Sequence, residues 1–358
     1  MKKQITADTK YSVCVWQEGE RNMTTRERFY KLMNGEADID QAPAIEWATW
    51  WDKTLRGWEA EGMPVGMQSE DIFNYFGLES HTQFWFQTVE RDCPKQATAN
   101  AVPIIIKDEE DYQRLRPYFL PEDAVERRMK QIQATMPRYE KGETLVWYTL
   151  EGFFWFPRKL FGDEAQLYAF YDYPELYHQI CEDLVEWQIR QVDKFAQYMK
   201  ADFMTIAEDM SYNHGSLISK ALFDEFMLPY YKRLIPEIKK YGTKVFVDSD
   251  GKVDDLIPWF MEAGVEGILP LERQAGVDLV EYRKKYPDFL FIGGFDKMAL
   301  LRGKEAIRQE FERLLPVIES GRYMLGVDHQ TPPGTTMENY RYYVQLLKEY
   351  SKRACKGI

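Results

Sequence analysis

The chain has 358 residues, 45% hydrophobic and 29% charged, with 58 acidic against 46 basic side chains and a formal net charge of −12. That length can bury a large core, and that charge argues against nucleic acid as the main partner, because phosphate binding needs a basic surface. No apolar run approaches the roughly 18–20 residues of a membrane span, and Met1-Lys-Lys-Gln-Ile-Thr-Ala-Asp8 carries charge without the apolar centre of a secretory signal.

Residues 1–22 are polar and aperiodic and are expected to form an N-terminal tail. Met23-Thr-Thr-Arg-Glu-Arg-Phe29 reads as a fresh start, and as an alternative initiator. Thr24 or Thr25 is placed to cap a helix running through Leu32. From there strand-like and helix-like stretches alternate. The candidate strands are Ala44–Trp47, Leu145–Leu150, Phe203–Ala207, Lys244–Val247, Gly267–Leu271, Phe289–Ile292 and Tyr323–Val327. Amphipathic stretches between them include Pro174–Met199, Phe223–Tyr241, Val253–Ala263 and Lys304–Ser320. Repeated β-then-α units imply a parallel sheet with right-handed crossovers. Seven strands, with an eighth not placed, predict an α/β fold: one (β/α)8 TIM barrel over residues 23–358. Residues 82–107 break the alternation. Phe84-Trp-Phe-Gln-Thr-Val89 and Val102-Pro-Ile-Ile-Ile-Lys107 predict a β-hairpin excursion over the barrel mouth.

No GxGxxG or GxxxxGK[ST] motif follows a strand, which weakens dinucleotide and P-loop readings. Cys14, Cys93, Cys181 and Cys355 are far apart and form no CxxC pair. That spacing argues against a disulfide framework and a thiolate zinc site, and for a reducing cytoplasm.

Chemistry concentrates where strands end. Val245-Phe246-Val247 is followed at once by Asp248-Ser-Asp250-Gly251. In parallel α/β proteins this rim lines the ligand site. Two carboxylates there repel each other unless a cation, a proton or a substrate donor compensates. Taken alone, they also suit an Asp-rich turn before a helix. The other strand ends supply Trp47 with Trp50-Trp51, Glu151 with Phe153-Phe-Trp155, Glu208-Asp209 with Tyr212, Glu272, Asp296-Lys297 and Asp328-His329-Gln330. If the barrel forms, acidic groups, one imidazole and an aromatic wall converge on one mouth. Such a cluster suits a divalent cation, carboxyls of raised pKa, or a cationic or polyhydroxylated ligand.

Glu208-Asp-Met210…Gly215-Ser-Leu-Ile-Ser219, Phe223-Asp-Glu-Phe226…Leu228-Pro-Tyr-Tyr-Lys232, Gly293-Gly-Phe-Asp296 and Gly326-Val-Asp-His329…Pro333…Thr335-Thr-Met-Glu-Asn339 carry a resemblance. From Thr24 to Tyr350 the chain resembles the uroporphyrinogen decarboxylase superfamily, which implies a (β/α)8 barrel and one of two chemistries. One is removal of acetate carboxyls from a tetrapyrrole without a cofactor. The other is corrinoid-dependent methyl transfer, often through zinc. The decarboxylases' Arg-Gln-x-Gly-Arg-Tyr signature is replaced here by Glu46-Trp-Ala-Thr-Trp-Trp-Asp52, an acidic and aromatic surface that should repel a polycarboxylate. The thiol-using methyltransferases' His-x-Cys-Gly becomes Asp248-Ser-Asp-Gly251, and their later cysteine becomes His329.

The resemblance therefore implies a corrinoid-dependent methyltransferase acting on a small methoxylated or N-methylated substrate. In it, Asp248, Asp250 and His329 bind a divalent metal, zinc or another. Glu208, Asp209 and His329 act as acid, base or catalytic partners. Trp47, Trp51, Glu151, Trp155, Tyr212, Glu272 and Asp296 shape the substrate pocket. The expected partners are the substrate, a corrinoid protein covering the mouth and a second copy of the chain, with no nucleic acid and no membrane. The alternatives are tetrapyrrole decarboxylation and a non-catalytic binding barrel whose acidic groups are all caps.

Overall fold

Short runs rich in Val, Ile, Leu, Phe and Tyr form the strands: β1 Ser80–Trp85, β2 Thr144–Glu151, β3 Phe203–Ala207, β4 Lys244–Asp248, β5 Gly267–Leu269, β6 Leu290–Phe295 and β7 Tyr323–Val327. The computed structural model describes residues 23–95 and 105–357. The expected tail over 1–22 lies outside the described residues. The seven strands pair in parallel, each with its chain neighbours, with helices between them. The result is a TIM-barrel-like α/β fold.

The side-chain period of two sorts apolar residues into two clusters. Leu145 and Trp147 of β2, Phe203, Phe246, Leu290, Ile292 and Met324 form an inner one. Their chain neighbours Val146, Met204, Val247, Phe291 and Leu325 join an outer cluster with the surrounding helices. Burial on both faces explains why these strands read as continuous apolar runs.

The helix Thr25–Asn34 plugs the amino-terminal end of the inner cluster. Thr24 and Glu27 cap it reciprocally, and Gly35 ends it in the left-handed conformation. Phe29 stacks on Phe203 with centroids 5.5 Å apart, and Leu32 O accepts from Arg322 N at 2.9 Å. The opposite end is therefore the place for a site. There the register sets Glu151, Ala207, Asp248 and Leu269 on one level.

Two expectations are corrected. Ala44–Trp47 forms no ladder, because its bonds run largely to side chains, the Ala44 amide donating to Glu79 Oε2 at 3.2 Å. It fills the gap between the edge strands β1 and β7. Ala44 O accepts from Glu79 N at 2.9 Å, Glu46 O is bonded to His81 Nε2 at 2.9 Å, and Trp47 Nε1 donates to Val327 O at 2.8 Å. Among the described residues the sheet thus has seven strands, and Ala44–Trp47 lies between its two edges. The hairpin over 82–107 is also absent among the described residues. Phe84 and Trp85 end β1, which pairs in parallel with β2. Val89 makes one antiparallel bridge, to Phe119, and the Ile105 and Ile106 amides donate to Leu160 O. Residues 102–104 of the expected second arm lie outside the described residues.

Smaller differences have local causes. The stretch 223–241 is two helices, Lys220–Phe226 and Leu228–Lys239, restarting at Leu228-Pro229, where proline suits a first helical turn. β5 stops before Pro270, which has no amide for the ladder. No helix among the described residues is long and apolar enough to cross a membrane.

Candidate active site

Asp248 is the last residue of β4, in step with inward-facing Phe246, so its carboxyl points into the mouth. Asp250 follows two residues later, and Asp209 two residues past β3. Carboxylate oxygens of Asp209, Asp248 and Asp250 lie within 4.8 Å of one another. His329, two residues past β7, brings Nε2 to 3.9 Å from Asp250 Oδ2.

The backbone is bent to make this meeting. Asp209 has a φ of 41° and is held by Arg158, which donates to its carbonyl at 2.9 Å. The Asp250 amide donates to Asp209 Oδ1 at 3.0 Å. Gly251 has a φ of 86°, and a Cβ there would lie 2.8 Å from the backbone of Ser211 and Tyr212. Glycine after Asp-Ser-Asp therefore serves a close chain crossing.

The three aspartates and His329 line a cavity of about 320 Å³ walled by Trp47, Trp85, Trp147 and Trp155. Among the described residues, no lysine or arginine lines it. Burial, then the charges of Asp209 and Asp250, push the Asp248 carboxyl well above the usual range. Burial, then Asp209 and Glu272, push Asp250 up to about 7. His329 is pushed down, by burial first and then by Lys297, which favours the neutral imidazole that can accept a proton or ligate a cation.

Of the residues expected at the site, the cavity gathers Trp47, Trp155, Asp209, Asp248, Asp250 and His329. The others sit elsewhere. Glu208 is fully buried behind the wall: its carboxylate accepts the amides of Phe153, Phe154 and Trp155 at 3.0, 2.8 and 3.1 Å, and the Tyr231 hydroxyl. A Cβ at Gly152 would overlap it at 2.0 Å, so the glycine makes room for this carboxylate. Glu208 thus positions the loop carrying Trp155 and does not face the cavity. Glu151 is bonded to Thr88 and Lys159 at 2.6 and 2.8 Å and lines a neighbouring, larger cavity. Trp51 is 45% exposed at the start of the helix Asp52–Ala60. Tyr212 is 49% exposed on a two-residue ladder with Gly215–Ser216. Asp296 is tied to Arg302, Gln274 and the Met298 amide at 2.6, 2.7 and 2.9 Å. Glu272 pairs with Lys297 at 2.8 Å, near enough to act on Asp250 and His329 through charge.

Sequence reasoning did not single out Trp147, and it placed Asp328 at a strand end and Trp85 among the aromatics without giving either a role in the site. Asp328 is buried and accepts the amides of Arg273 and Lys297 at 2.8 and 3.1 Å. Burial raises its carboxyl to about 7. It ties the β5, β6 and β7 ends together directly before His329. Its place beside His329 was the available signal.

Residues 96–350 match the family described as Uroporphyrinogen decarboxylase (URO-D). The chain belongs to the uroporphyrinogen decarboxylase family. It is 26% identical over 272 residues to a uroporphyrinogen decarboxylase of Thermus thermophilus, covering 70% of this chain and 72% of that one. To a uroporphyrinogen decarboxylase of Hydrogenobaculum sp. it is 25% identical over 190 residues, and this match spans about half the relative's length, 50%. A methyltransferase from Methanosarcina mazei shares the fold, with a TM-score of 0.68 at 16% identity over 91% of this chain and 99% of that one. The family match takes in the four ionisable groups of the cavity, Asp209, Asp248, Asp250 and His329, but begins after Trp47 and Trp85.

The donor set fits a divalent cation: three converging carboxylates and one neutral imidazole. It is a hard set. Cys93, Cys181 and Cys355 are buried away from the cavity, so the described residues offer no thiolate to it. Oxygen and imidazole suit a less thiophilic ion than a cysteine site does.

Proposed function

We propose that this protein is a methyltransferase that moves a methyl group from a small methoxylated or N-methylated substrate to a corrinoid carried by a partner protein. The observation that carries this reading is the acidic cavity walled by four tryptophans. Aromatic faces and carboxylates suit a methyl-bearing or quaternary ammonium group. The corrinoid supplies the nucleophile for the methyl group. The chain's own residues bind and orient the donor, exclude water and manage the proton at the leaving atom.

Trp47, Trp85, Trp147 and Trp155 hold the donor, with Trp155 fixed through Glu208. A quaternary nitrogen leaves as a neutral amine and needs no proton. At a departing oxygen, Asp250, poised near neutrality, donates one, and neutral His329 at 3.9 Å takes a proton from solvent and relays it back to Asp250. A divalent cation held by Asp209, Asp248, Asp250 and His329 would supply Lewis-acid polarisation of the same atom. We read residues 23–358 as one barrel domain, its mouth covered by the corrinoid protein during transfer.

The second reading is tetrapyrrole decarboxylation, which the names of the curated relatives favour. Against it stands the lining, acidic where a polycarboxylate would need cations. The test is an anaerobic assay with a reduced corrinoid protein and a panel of methoxylated and N-methylated donors, beside incubation with uroporphyrinogen. Methyl-corrinoid formation that Asp250→Ala removes supports the proposal. Conversion of acetate to methyl side chains overturns it in favour of the decarboxylase.

A further inference from the structure

A second cavity, about 530 Å³, opens beside the acidic one, and Trp85 and Trp155 wall both. Its charge is of the other kind. Arg91, Lys95, Arg158 and Lys159 line it, against Glu90, Glu151 and Asp163. The acids are largely spent. Glu151 is bonded to Lys159 and Thr88, and Glu90 is held by both terminal nitrogens of Arg127, at 2.9 and 2.6 Å from outside the lining. Asp163 stands 3.7 Å from Arg158 with its side chain 74% exposed. Arg91 and Lys95 are exposed and have no bonding partner among the described residues. Arg158 sits at the junction: its guanidinium lies 4.3 Å above the Trp155 ring, donates to the Asp209 carbonyl, and also faces the larger cavity.

We propose that the larger cavity binds an anionic group, so that the ligand of this protein is a zwitterion: a quaternary ammonium carboxylate. The ammonium lies in the acidic, tryptophan-walled cavity, and the carboxylate lies between Arg91, Lys95 and Arg158. The ammonium end rests on the methyl-donor reading above; the carboxylate end does not. A quaternary ammonium also adds to the positive charge that Arg158, 3.9 Å from Asp209 Oδ2, brings to the aspartate cluster. A guanidinium held over an indole is pre-organised to meet a carboxylate.

Calorimetric titration in chelator-treated buffer tests this with three probes: tetramethylammonium, 4-(trimethylammonio)butanoate and butanoate. They are titrated into the full chain and into the Arg91→Ala, Lys95→Ala double variant, whose altered side chains are exposed, with circular dichroism checking the fold. The expected result is at least ten-fold tighter binding of the zwitterion than of tetramethylammonium. In the variant that advantage falls towards one, and tetramethylammonium is unchanged. If tetramethylammonium binds and the zwitterion gains nothing, or the gain survives in the variant, the anion compartment is overturned and the methyl-donor reading stands. If butanoate binds and neither ammonium compound does, the zwitterion and the ammonium end fall together.

Discussion

His329 Nε2 lies 3.9 Å from Asp250 Oδ2, joining the end of β7 to the end of β4 across the mouth of the barrel-like fold. The contact is too long for a direct hydrogen bond and leaves room for a ligand atom held by both groups. Asp250→Asn keeps the shape and removes the charge. It is expected to lower methyl transfer by about 10²–10⁴-fold, the usual reach of a positioned acid or base. His329→Gln should fall similarly, and the double variant should lose much less than the product of the two. Steady-state rates of the three variants check this, and fully multiplicative losses would show that the two groups act separately.

Glu208 makes a different prediction, because it acts through the backbone. Glu208→Ala strands three amides and the Tyr231 hydroxyl behind the cavity wall. Each buried group left without a partner costs about 1–3 kcal/mol. Unfolding midpoints in urea should drop by several such steps, and Trp155 emission should shift to the red as its loop loosens. Glu208→Gln keeps one acceptor oxygen and should retain more of the stability. A variant with normal stability but no turnover would return Glu208 to direct chemistry.

The sequence made some of this legible and hid the rest for physical reasons. Val245-Phe246-Val247 is buried on both faces and reads as a strand, so Asp248 and Asp250 fall at its rim without ambiguity. Ser80–Trp85 is buried unevenly, and its polar residues are spent on side-chain bonds such as Gln83 to Thr149 and His81 to Trp147. Its pattern is not that of a buried strand, and its apolar end looked like a hairpin arm. Ala44–Trp47 has strand composition, but its partners are two sheet edges far apart in the chain. Glu208 and Asp209 are neighbours of one type, and only the three-dimensional structure separates the buried anchor from the residue facing the cavity.

The seam between β1 and β7 depends on Gly326. A Cβ there would come within 2.9 Å of Trp47 Cδ1 and 3.3 Å of Glu46 Oε1. Gly326→Ala should displace Trp47 and break its bond to Val327 O. Overpacking of this kind costs about 1–3 kcal/mol. Thermal unfolding and ligand affinity should weaken together. An unchanged affinity with lowered stability would show that Trp47 is part of the seam and not of the binding wall.

The same seam predicts a pH dependence. Glu46 is fully buried and bonded to the Tyr343 hydroxyl at 2.8 Å, and burial raises its carboxyl to about 8. Below the ordinary value of 4.5 both folded and unfolded chains hold this proton. As pH rises towards 8 the unfolded chain releases it and the folded chain does not, so stability is lost across that window. His81 works oppositely. It is buried between the Glu46 carbonyl and Trp147 Nε1, and burial lowers its pKa to about 4. The unfolded chain then binds a proton between 6.5 and 4 that the folded chain refuses, so stability is lost as pH falls. Glu46→Gln should make the alkaline slope shallower, with Asp250 and Asp328, also raised to about 7, keeping the rest, and leave the acidic one. Urea midpoints from pH 4 to pH 9 decide it, and an unaltered alkaline slope would mean that the Glu46 proton is not the cause.

Finally, the aspartate cluster should stabilise the fold when a cation occupies it. Asp209, Asp248 and Asp250 converge within 4.8 Å, and their mutual repulsion weighs on the folded chain alone. A cation that binds the folded state raises the unfolding free energy by about 2.7 kcal/mol at a hundred-fold excess over its dissociation constant. Manganese or magnesium suits carboxylate oxygen, and zinc tolerates the added imidazole of His329. The unfolding temperature of chelator-treated protein should therefore rise with one of these ions, and Asp250→Ala should lose the effect. Without any cation, Asp250→Ala should be no less stable than the parent, because it removes one repelling carboxyl. If all three ions leave the midpoint unmoved in parent and variant alike, the cluster is held by protons, and the acid role of Asp250 has to carry the chemistry alone.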